Sequence, residues 1–346
     1  MLAAKLPKVG IIFKSYEPLS SIRLYARKTE ALQLEGGFWF AEAYHWFRKY
    51  GYEARGAIAC LAAAISETNT IPIGWGIGSP YLRHPTIQAS EACALDELSG
   101  GRFLLGIGVS NPGIARWHGL PFDHPLGRAR EYIEITERAM RGDKVNFEGK
   151  YYSATGFRMP FKPSGRRIPV YLAAFGPQMS RLAGRLTDGV LINMASPGET
   201  RRIVDEIRQG AREAGKDPSG LEVICKLRCS LAADRAKARE ALSRVLTFYT
   251  LADYYRDLLA RMGFAEEVNA MRAAWQSSGF HAAQALISDR LFQGVPMVAA
   301  TSVEEIRERI RPYAEAGATR VILPYVPCSE DVVGETNEFI TAWSAA

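Results

Sequence analysis

"GWGIGSPYLRHP", residues 74–85, gathers three glycines and two prolines where an apolar strand gives way to a helix. Glycine within a strand permits a bulge or lets a ligand or another backbone come close, and it carries an entropic cost that ordinary packing does not return. The stretch therefore reads as the end of a strand with something resting on its backbone. Upstream, "IPIGWGI" (71–77) has the length of a buried strand; downstream, "PTIQASEACALDELSGG" (85–101) has the period of a helix.

Outward from that point the same alternation of short apolar runs and longer amphipathic ones repeats. "KVGIIF" (8–13) is strand one, and "SSIRLYARKTEALQLEG" (20–36) is a helix capped by serine and stopped by glycine. "GFWFAE" (37–42) is strand two, "ARGAIACLAAAISETN" (54–69) a helix, and "RFLLGIGVS" (102–110) strand four. "GRAREYIEITERAMRG" (127–142) is helical, and "VNFEGKYYSATGFRM" (145–159) alternates about a glycine as a surface hairpin does. The second half continues with "IPVYLAAF" (168–175), "GVLINM" (189–194), "LEVICKLRCSLA" (221–232) and "RVILPYV" (320–326) as strands five to eight. Helices "QMSRLAGRLTD" (178–188) and "GETRRIVDEIRQGAREAG" (198–215) lie between them. Eight strands in a βα rhythm predict an α/β fold of the closed (β/α)₈ TIM-barrel type, in one domain over 1–346.

Strands seven and eight are separated by far more chain than one crossover helix needs. Most of it, "ALSRVLTFYTLADYYRDLLARMGF" (241–264) and "EEVNAMRAAWQSSGFHAAQALISDRLF" (266–292), is aromatic-rich and helical by period. This largest insertion, at about 240–300, is either a wall or dimer surface beside the barrel mouth or an elongated barrel helix with a satellite core.

Composition narrows the function classes. With 47% hydrophobic and 23% charged residues in 346, the chain is globular rather than disordered. Its formal charge of +6 comes from Lys and Arg spread along the sequence, so nucleic-acid binding does not follow. No apolar run is long enough to span a bilayer, and no amino-terminal segment resembles a secretory signal. Five widely spaced cysteines fit a reducing cytoplasm. Cys225 and Cys229, four apart on a strand, would share one face, as a metal pair or as small buried hydrophobes.

In a TIM barrel the chemistry sits where strands end. Those ends read Glu42–Ala43, Gly76–Ser79, Gly108–Asn111, Ala174–Gln178 and Asn193–Ser196, a mouth of small residues with room for something flat. In "AAFGPQMS", Gly176 ends a strand and Pro177 suits the first helical position. The N–H groups of Gln178, Met179 and Ser180, with the Ser180 hydroxyl, then form a phosphate seat or an ordinary strand-to-helix turn. Acid–base and metal-binding signatures are missing: five histidines are scattered, and no HExxH, nucleophile elbow, Walker loop or ligand cluster occurs. A glycine-lined mouth with few acid–base groups suits chemistry carried by a cofactor.

Two segments, "SPYLRHPTIQASEACALDELSGGRFLLGIGVS" (79–110) and "RRIPVYLAAFGPQMSRLAGRLTDGVLINMASPGE" (166–199), resemble the luciferase-like flavin and deazaflavin oxidoreductases, and the barrel rhythm extends the likeness over nearly the whole chain. Within that superfamily the sequence is most similar in look to the methylene-tetrahydromethanopterin reductase group, which uses coenzyme F420. The resemblance implies a bulge in strand three with a non-prolyl cis peptide, here Gly76–Ile77, against which the redox ring rests. It implies a cofactor site lined by Ala43, Gly76, Ile77, Ser79, Ser110, Asn111, Ala174, Gly176 and Gln178, with Glu42 beside Ala43 at the end of strand two. Arg83 and His84 belong to the motif in a structural capacity. It also implies a homodimer or higher oligomer, for which the helices containing "ACLAAAI" and "EACALDEL" could supply the faces unless they only face the barrel.

Two departures stand out. The strand-one carboxylate of the reductase group is matched by Ile12, and the Asp–His pair of many relatives by Glu42 and Ala43, with His45 two residues on. A substrate other than the pterin follows. Glu42 and His45 are the candidate proton relay, weighed against structural or solvated roles. Three functions remain open: an F420-dependent oxidoreductase moving a hydride to or from a small organic substrate; an FMN-dependent two-component monooxygenase, supplied by a partner flavin reductase; and a non-catalytic flavin-binding protein. The glycine-rich mouth counts against the last, because its glycines gain nothing from packing alone.

Overall fold

A computed structural model describes residues 6–14, 18–42, 55–159, 161 and 167–343. Twelve strands are present among them: β1 (Lys8–Lys14), β2 (Gly37–Ala41), β3 (Ile73–Gly78), β4 (Phe103–Ile107), β5 (Val145–Glu148), β6 (Ser153–Phe157), β7 (Val170–Ala173), β8 (Gly189–Ile192), β9 (Glu222–Lys226), β10 (Arg228–Leu231), β11 (Met297–Ala300) and β12 (Arg320–Pro324). Eight close into a barrel in the order β1-β12-β9-β8-β7-β4-β3-β2, all neighbours parallel. This is the expected α/β TIM barrel. The expected hairpin is β5 paired antiparallel with β6.

Strand alternation divides the core in two. Phe13, Phe38 and Phe40 point outward into the helical shell, where Phe13 stacks on Tyr25 and Phe38. The lumen is filled by Ile12, Trp39, Leu104, Tyr171, Leu191, Ile224 and Ile322, one side chain from each of seven barrel strands. The eighth strand, β3, gives a glycine instead: a Cβ on Gly74 would lie 2.2 Å from the indole of Trp39. The large ring occupies the volume that β3 leaves empty.

Below this layer Arg320 and Glu222, the first residues of β12 and β9, pair at 3.2 Å. The Tyr171 hydroxyl donates to Glu222 at 2.6 Å, and Arg320 and the Trp39 indole N–H both donate to the carbonyl of Gly36, at 2.9 and 2.7 Å. Burial raises the Glu222 carboxyl, but Arg320 and the Tyr171 hydroxyl bring it below its ordinary value.

Three expectations need correction. The first helix (Leu19–Ala31) is preceded by Pro18 with no serine cap, and ends before Gly36. Gly36 and Gly37 serve close strand approach, since a Cβ on Gly36 would lie 2.1 Å from the Val9 backbone. The expected strand seven is two strands: the chain leaves the barrel at Leu227, and β10 pairs parallel with β11 in a separate ribbon. Cys225 and Cys229 therefore lie on different strands, both buried and free, with burial pushing the Cys225 thiol up to about 12.

The insertion is not one long helix. Helices Arg235–Leu251, Asp253–Arg261, Ala265–Ser278, Phe280–Ala285 and Asp289–Gly294 enclose their own apolar cluster, including Leu242, Leu246, Leu258, Phe264 and Met271. Met194 belongs to that cluster and Phe175 packs against it, which seats the insertion on the ends of β8 and β7. No helix among the described residues is long and apolar enough to cross a membrane.

Gly74→Ala is expected to cost about 1–3 kcal/mol through overpacking against Trp39, while Gly220→Ala, with open space at its Cβ position, stays near neutral; urea midpoints compare them. Because the Glu222 carboxyl is depressed in the fold, its contribution is present above the unfolded value near 4.5 and lost as pH falls through the folded value. The stability gap between wild type and Glu222→Gln should accordingly be widest near neutrality and shrink in acid.

Candidate active site

The mouth is organised by the place where β3 leaves its ladder. Trp75 pairs with Leu105 and Gly78 with Ile107, so Gly76 and Ile77 stand outside the β4 register, and the peptide joining them is cis. A Cβ on Gly76 would lie 3.3 Å from Trp39 and 3.6 Å from Ile12, directly on the lumen layer. On the next strand a Cβ at Gly106 would lie 2.4 Å from the Trp75 carbonyl, and one at Gly108 2.2 Å from Ile77. These glycines do gain from packing: each makes room for a neighbour that shapes the bulge. That removes the argument that they serve a ligand alone. Gly176, by contrast, opens on empty space, with nothing within 4 Å of its Cβ position.

The loop after β3 is braced from three sides. Arg83 donates to both carboxylate oxygens of Glu42, at 2.9 and 2.7 Å, reaches Glu91 at 3.1 Å and lies 4.9 Å over the Trp75 ring. The Glu42 side chain is only 3% exposed. Burial is the main force pushing the Glu91 carboxyl up; Arg83 opposes it and Glu42 adds to it. The His84 ring accepts from the Thr86 N–H at 3.3 Å, capping helix Pro85–Leu98, and its other nitrogen meets the Ser153 carbonyl at 3.1 Å. The Tyr152 hydroxyl donates to the Pro80 carbonyl at 2.6 Å, so the hairpin also holds the loop. Arg83 and His84 are thus structural, as expected.

The remaining expected residues divide by environment. Ser79 is buried and its hydroxyl oxygen accepts from the Tyr81 N–H at 3.3 Å. Ser110 takes a left-handed conformation, φ +64°, and the Asn111 side chain accepts from the Ile114 N–H at 3.1 Å as a helix cap. Ala174 is buried, while Gly176 precedes helix Pro177–Leu186 with Pro177 at its first position and Gln178 exposed. Ser180 does not join a phosphate seat: it is buried, and its N–H and hydroxyl both donate to the Gly176 carbonyl, at 2.9 and 2.8 Å. The first-turn N–H groups of Gln178 and Met179 precede the first intrahelical bond and have no acceptor within the helix. Ala43 and His45 lie outside the described residues.

Two cations escaped the reading of strand ends. Lys226, the last residue of β9, donates from Nζ to the Gly76 carbonyl at 3.1 Å. Arg228, only 3% exposed, donates to the Asn193 carbonyl oxygen at 2.8 Å and to the Tyr249 hydroxyl, and lies 4.5 Å over the Tyr249 ring. No carboxylate pairs with Arg228 among the described residues, and its Nε is buried without a partner. Asn193 in turn donates to the Tyr255 hydroxyl, and Tyr255 stacks on Phe175 at 5.4 Å. The insertion thereby supplies an aromatic wall, Tyr249 and Tyr255, beside the ends of β7 and β8. The signal was present in "ICKLRC": two charges inside an otherwise apolar strand. Among the described residues no cluster of three or more His, Cys, Asp or Glu could hold a metal.

The profile of the luciferase-like monooxygenases matches residues 6–320. A 5,10-methylenetetrahydromethanopterin reductase of Archaeoglobus fulgidus is 31% identical over 325 residues, 91% of this chain and 92% of the reductase. The structure of the coenzyme F420-dependent tetrahydromethanopterin reductase from Methanopyrus kandleri superposes with a TM-score of 0.82 at 26% identity, covering 98% of both chains. An F420-dependent secondary alcohol dehydrogenase in complex with an F420–acetone adduct gives 0.78 at 23% identity over 98% of both, a likeness of fold alone.

Arg83→Met removes the cation that bridges Glu42 and Glu91 and is expected to cost about 3–5 kcal/mol near neutrality. The deficit should shrink as pH falls and the Glu91 carboxyl, already pushed up by burial, takes up a proton, which denaturation midpoints across the acid range would report.

Proposed function

This chain belongs to the luciferase-like monooxygenase family, and we propose that it is an F420-dependent oxidoreductase that moves a hydride between the deazaflavin and a small organic substrate. The observation that carries the reading is the mouth itself. A bulged β3 presents Gly76 and Ile77 outside the ladder, Gly176 opens on empty space after β7, two strands away in the barrel order, and helix Pro177–Leu186 starts there. Those features fit a flat ring with a phosphorylated tail. When bound, F420 supplies two-electron hydride chemistry, and the protein need only orient, desolvate and bind.

The residues divide that work. Gly76 and Ile77 form a backstop, supported from below by Trp39. Ala43, Ser79, Ser110, Asn111 and Ala174 complete the proposed lining, with Gly176 and Gln178 at the phosphate end. Phe175 and Tyr255 wall off solvent, and Arg228 and Asn193 stand behind that wall where a polar substrate group can be oriented. Glu42 and His45 stay the proposed proton relay, with Glu42 held in place by Arg83. Ile12 packs in the lumen, so strand one offers no carboxylate there, which supports a substrate other than the pterin.

The same reading treats 1–346 as one domain of a cytoplasmic enzyme, a homodimer or higher oligomer, with a flavin or F420 reductase able to serve as redox partner. Helices Ala57–Ile65 and Pro85–Leu98 turn most of their apolar residues toward the barrel, but Ile87 and Leu98 are 52% and 57% exposed and support a subunit contact.

Spectral titration with F420 and with FMN, followed by oxygen-consumption assays, tests the proposal. F420 binding and turnover without oxygen uptake are expected; tighter FMN binding with oxygen consumption would establish the monooxygenase instead, and binding of neither would favour a non-catalytic protein. Gly176→Ala should weaken F420 binding by about tenfold or more while leaving stability within about 0.5 kcal/mol, since the added methyl enters open space.

A further inference from the structure

We propose that Arg228 is a specificity residue that receives a carboxylate, so that the small organic substrate of this mouth is a monocarboxylate. The inference rests on the function proposed above and names the substrate class of the same site. Arg228 opens β10, where the chain turns away from the barrel at Leu227. Its Nη1 donates to the Asn193 carbonyl oxygen at 2.8 Å and to the Met194 sulfur at 3.6 Å, both just beyond the end of β8. Its Nη2 donates to the hydroxyl of Tyr249 on the first insertion helix, and the guanidinium lies 4.5 Å over the Tyr249 ring. Each of these partners is neutral, Nε has none, and the residue is buried.

A guanidinium stays charged in any protein setting, so burying one without a counter-charge carries a desolvation cost that neutral acceptors return only in part. The chain shows the ordinary remedy elsewhere. Arg320, the other buried arginine among the described residues, sits at the start of its barrel strand and pairs with Glu222 at 3.2 Å. Arg228 stands at the opposite, strand-end side of the barrel, where sites of this fold lie, and there the carboxylate is missing. It lies behind the half-buried Phe175, Asn193 and Tyr249; Asn193 also holds the Tyr255 hydroxyl, and Tyr255 stacks on Phe175. Charge and shape then select the ligand. One uncompensated positive charge calls for one negative charge, and a planar carboxylate can take parallel N–H bonds along the guanidinium edge that includes Nε. A dianion such as phosphate would reverse the imbalance, and an amide or alcohol would leave it in place.

The test is titration of wild type, Arg228→Met and Arg228→Lys with butanoate, hexanoate and benzoate, each against its own primary amide, followed by tryptophan fluorescence and thermal shift. Sulfate and inorganic phosphate serve as controls at constant ionic strength, and each series is run with and without F420. Wild type should bind at least one carboxylate about tenfold or more tightly than the matching amide. Arg228→Met should lose that preference, and Arg228→Lys, which keeps the charge, should retain part of it. Arg228→Gln serves in place of Met should Met fail to fold. A ligand-free Arg228→Met that melts no lower than wild type would support the same conclusion by a second route, because an apolar side chain then replaces an uncompensated charge. Equal binding of acid and amide by wild type overturns the inference, as does tighter binding of sulfate or phosphate, or a preference that survives in Arg228→Met. If wild type binds no F420, the proposed function itself fails, an outcome distinct from the carboxylate preference, which is read in the cofactor-free protein as well.

Discussion

Everything at the mouth depends on how one indole fills one vacancy. Trp39 takes the lumen volume that β3 would otherwise fill, lying where a Cβ on Gly74 would be 2.2 Å away and beneath Gly76. It is fixed by its N–H on the Gly36 carbonyl and by Arg320, whose guanidinium lies 5.9 Å from the ring centre. A side chain at 74 would overlap the ring, and one at 76 would crowd it at 3.3 Å. The large residue on β2 and the small ones on β3 are therefore one design, and the bulge at Gly76–Ile77 rests on it.

Above that floor the site is held mainly by contacts that brace its loops against one another. The ion triad of Glu42, Arg83 and Glu91 links the ends of β2 and β3 to a helix, and His84 and Tyr152 tie the same loop to the hairpin. Much of the glycine content that drew attention in the sequence is explained by neighbouring rings and backbones. The part left unexplained by packing is small and specific: the open position at Gly176, and two cations that reach the mouth from β9 and β10.

The barrel was legible because buried parallel strands and their covering helices have different periods, and the run of βα units is long enough to count. The β10–β11 ribbon was not, because "LEVICKLRCSLA" is apolar throughout its length and nothing local marks where Leu227 turns away from the barrel. Glu42 was visible as a strand-end carboxylate, but its partner Arg83 lies 41 residues on, and only tertiary closure brings them together. Lys226 and Arg228 sit between two cysteines in an apolar run, and nothing local in the sequence marks where their side chains reach. A search for histidines and carboxylates misses cations that act by placement. Ser180 shows the opposite error: a hydroxyl at a helix start looks available until its bond to the Gly176 carbonyl is seen.

The parallel ribbon formed by β10 and β11 has a consequence for how this scaffold diversifies. Arg228 pairs with Met297 and Leu231 with Ala300, so the chain departing for the five helices and the chain returning from them run side by side. The two stems are clamped whatever lies between them, and the entropy of closing that excursion changes only slowly with its length. The helical module can thus be lengthened, shortened or replaced by drift while the eight-stranded scaffold and its redox seat stay intact. A lineage built this way can acquire new chemistry's guests by exchanging one graft, with no rebuilding of the floor beneath them.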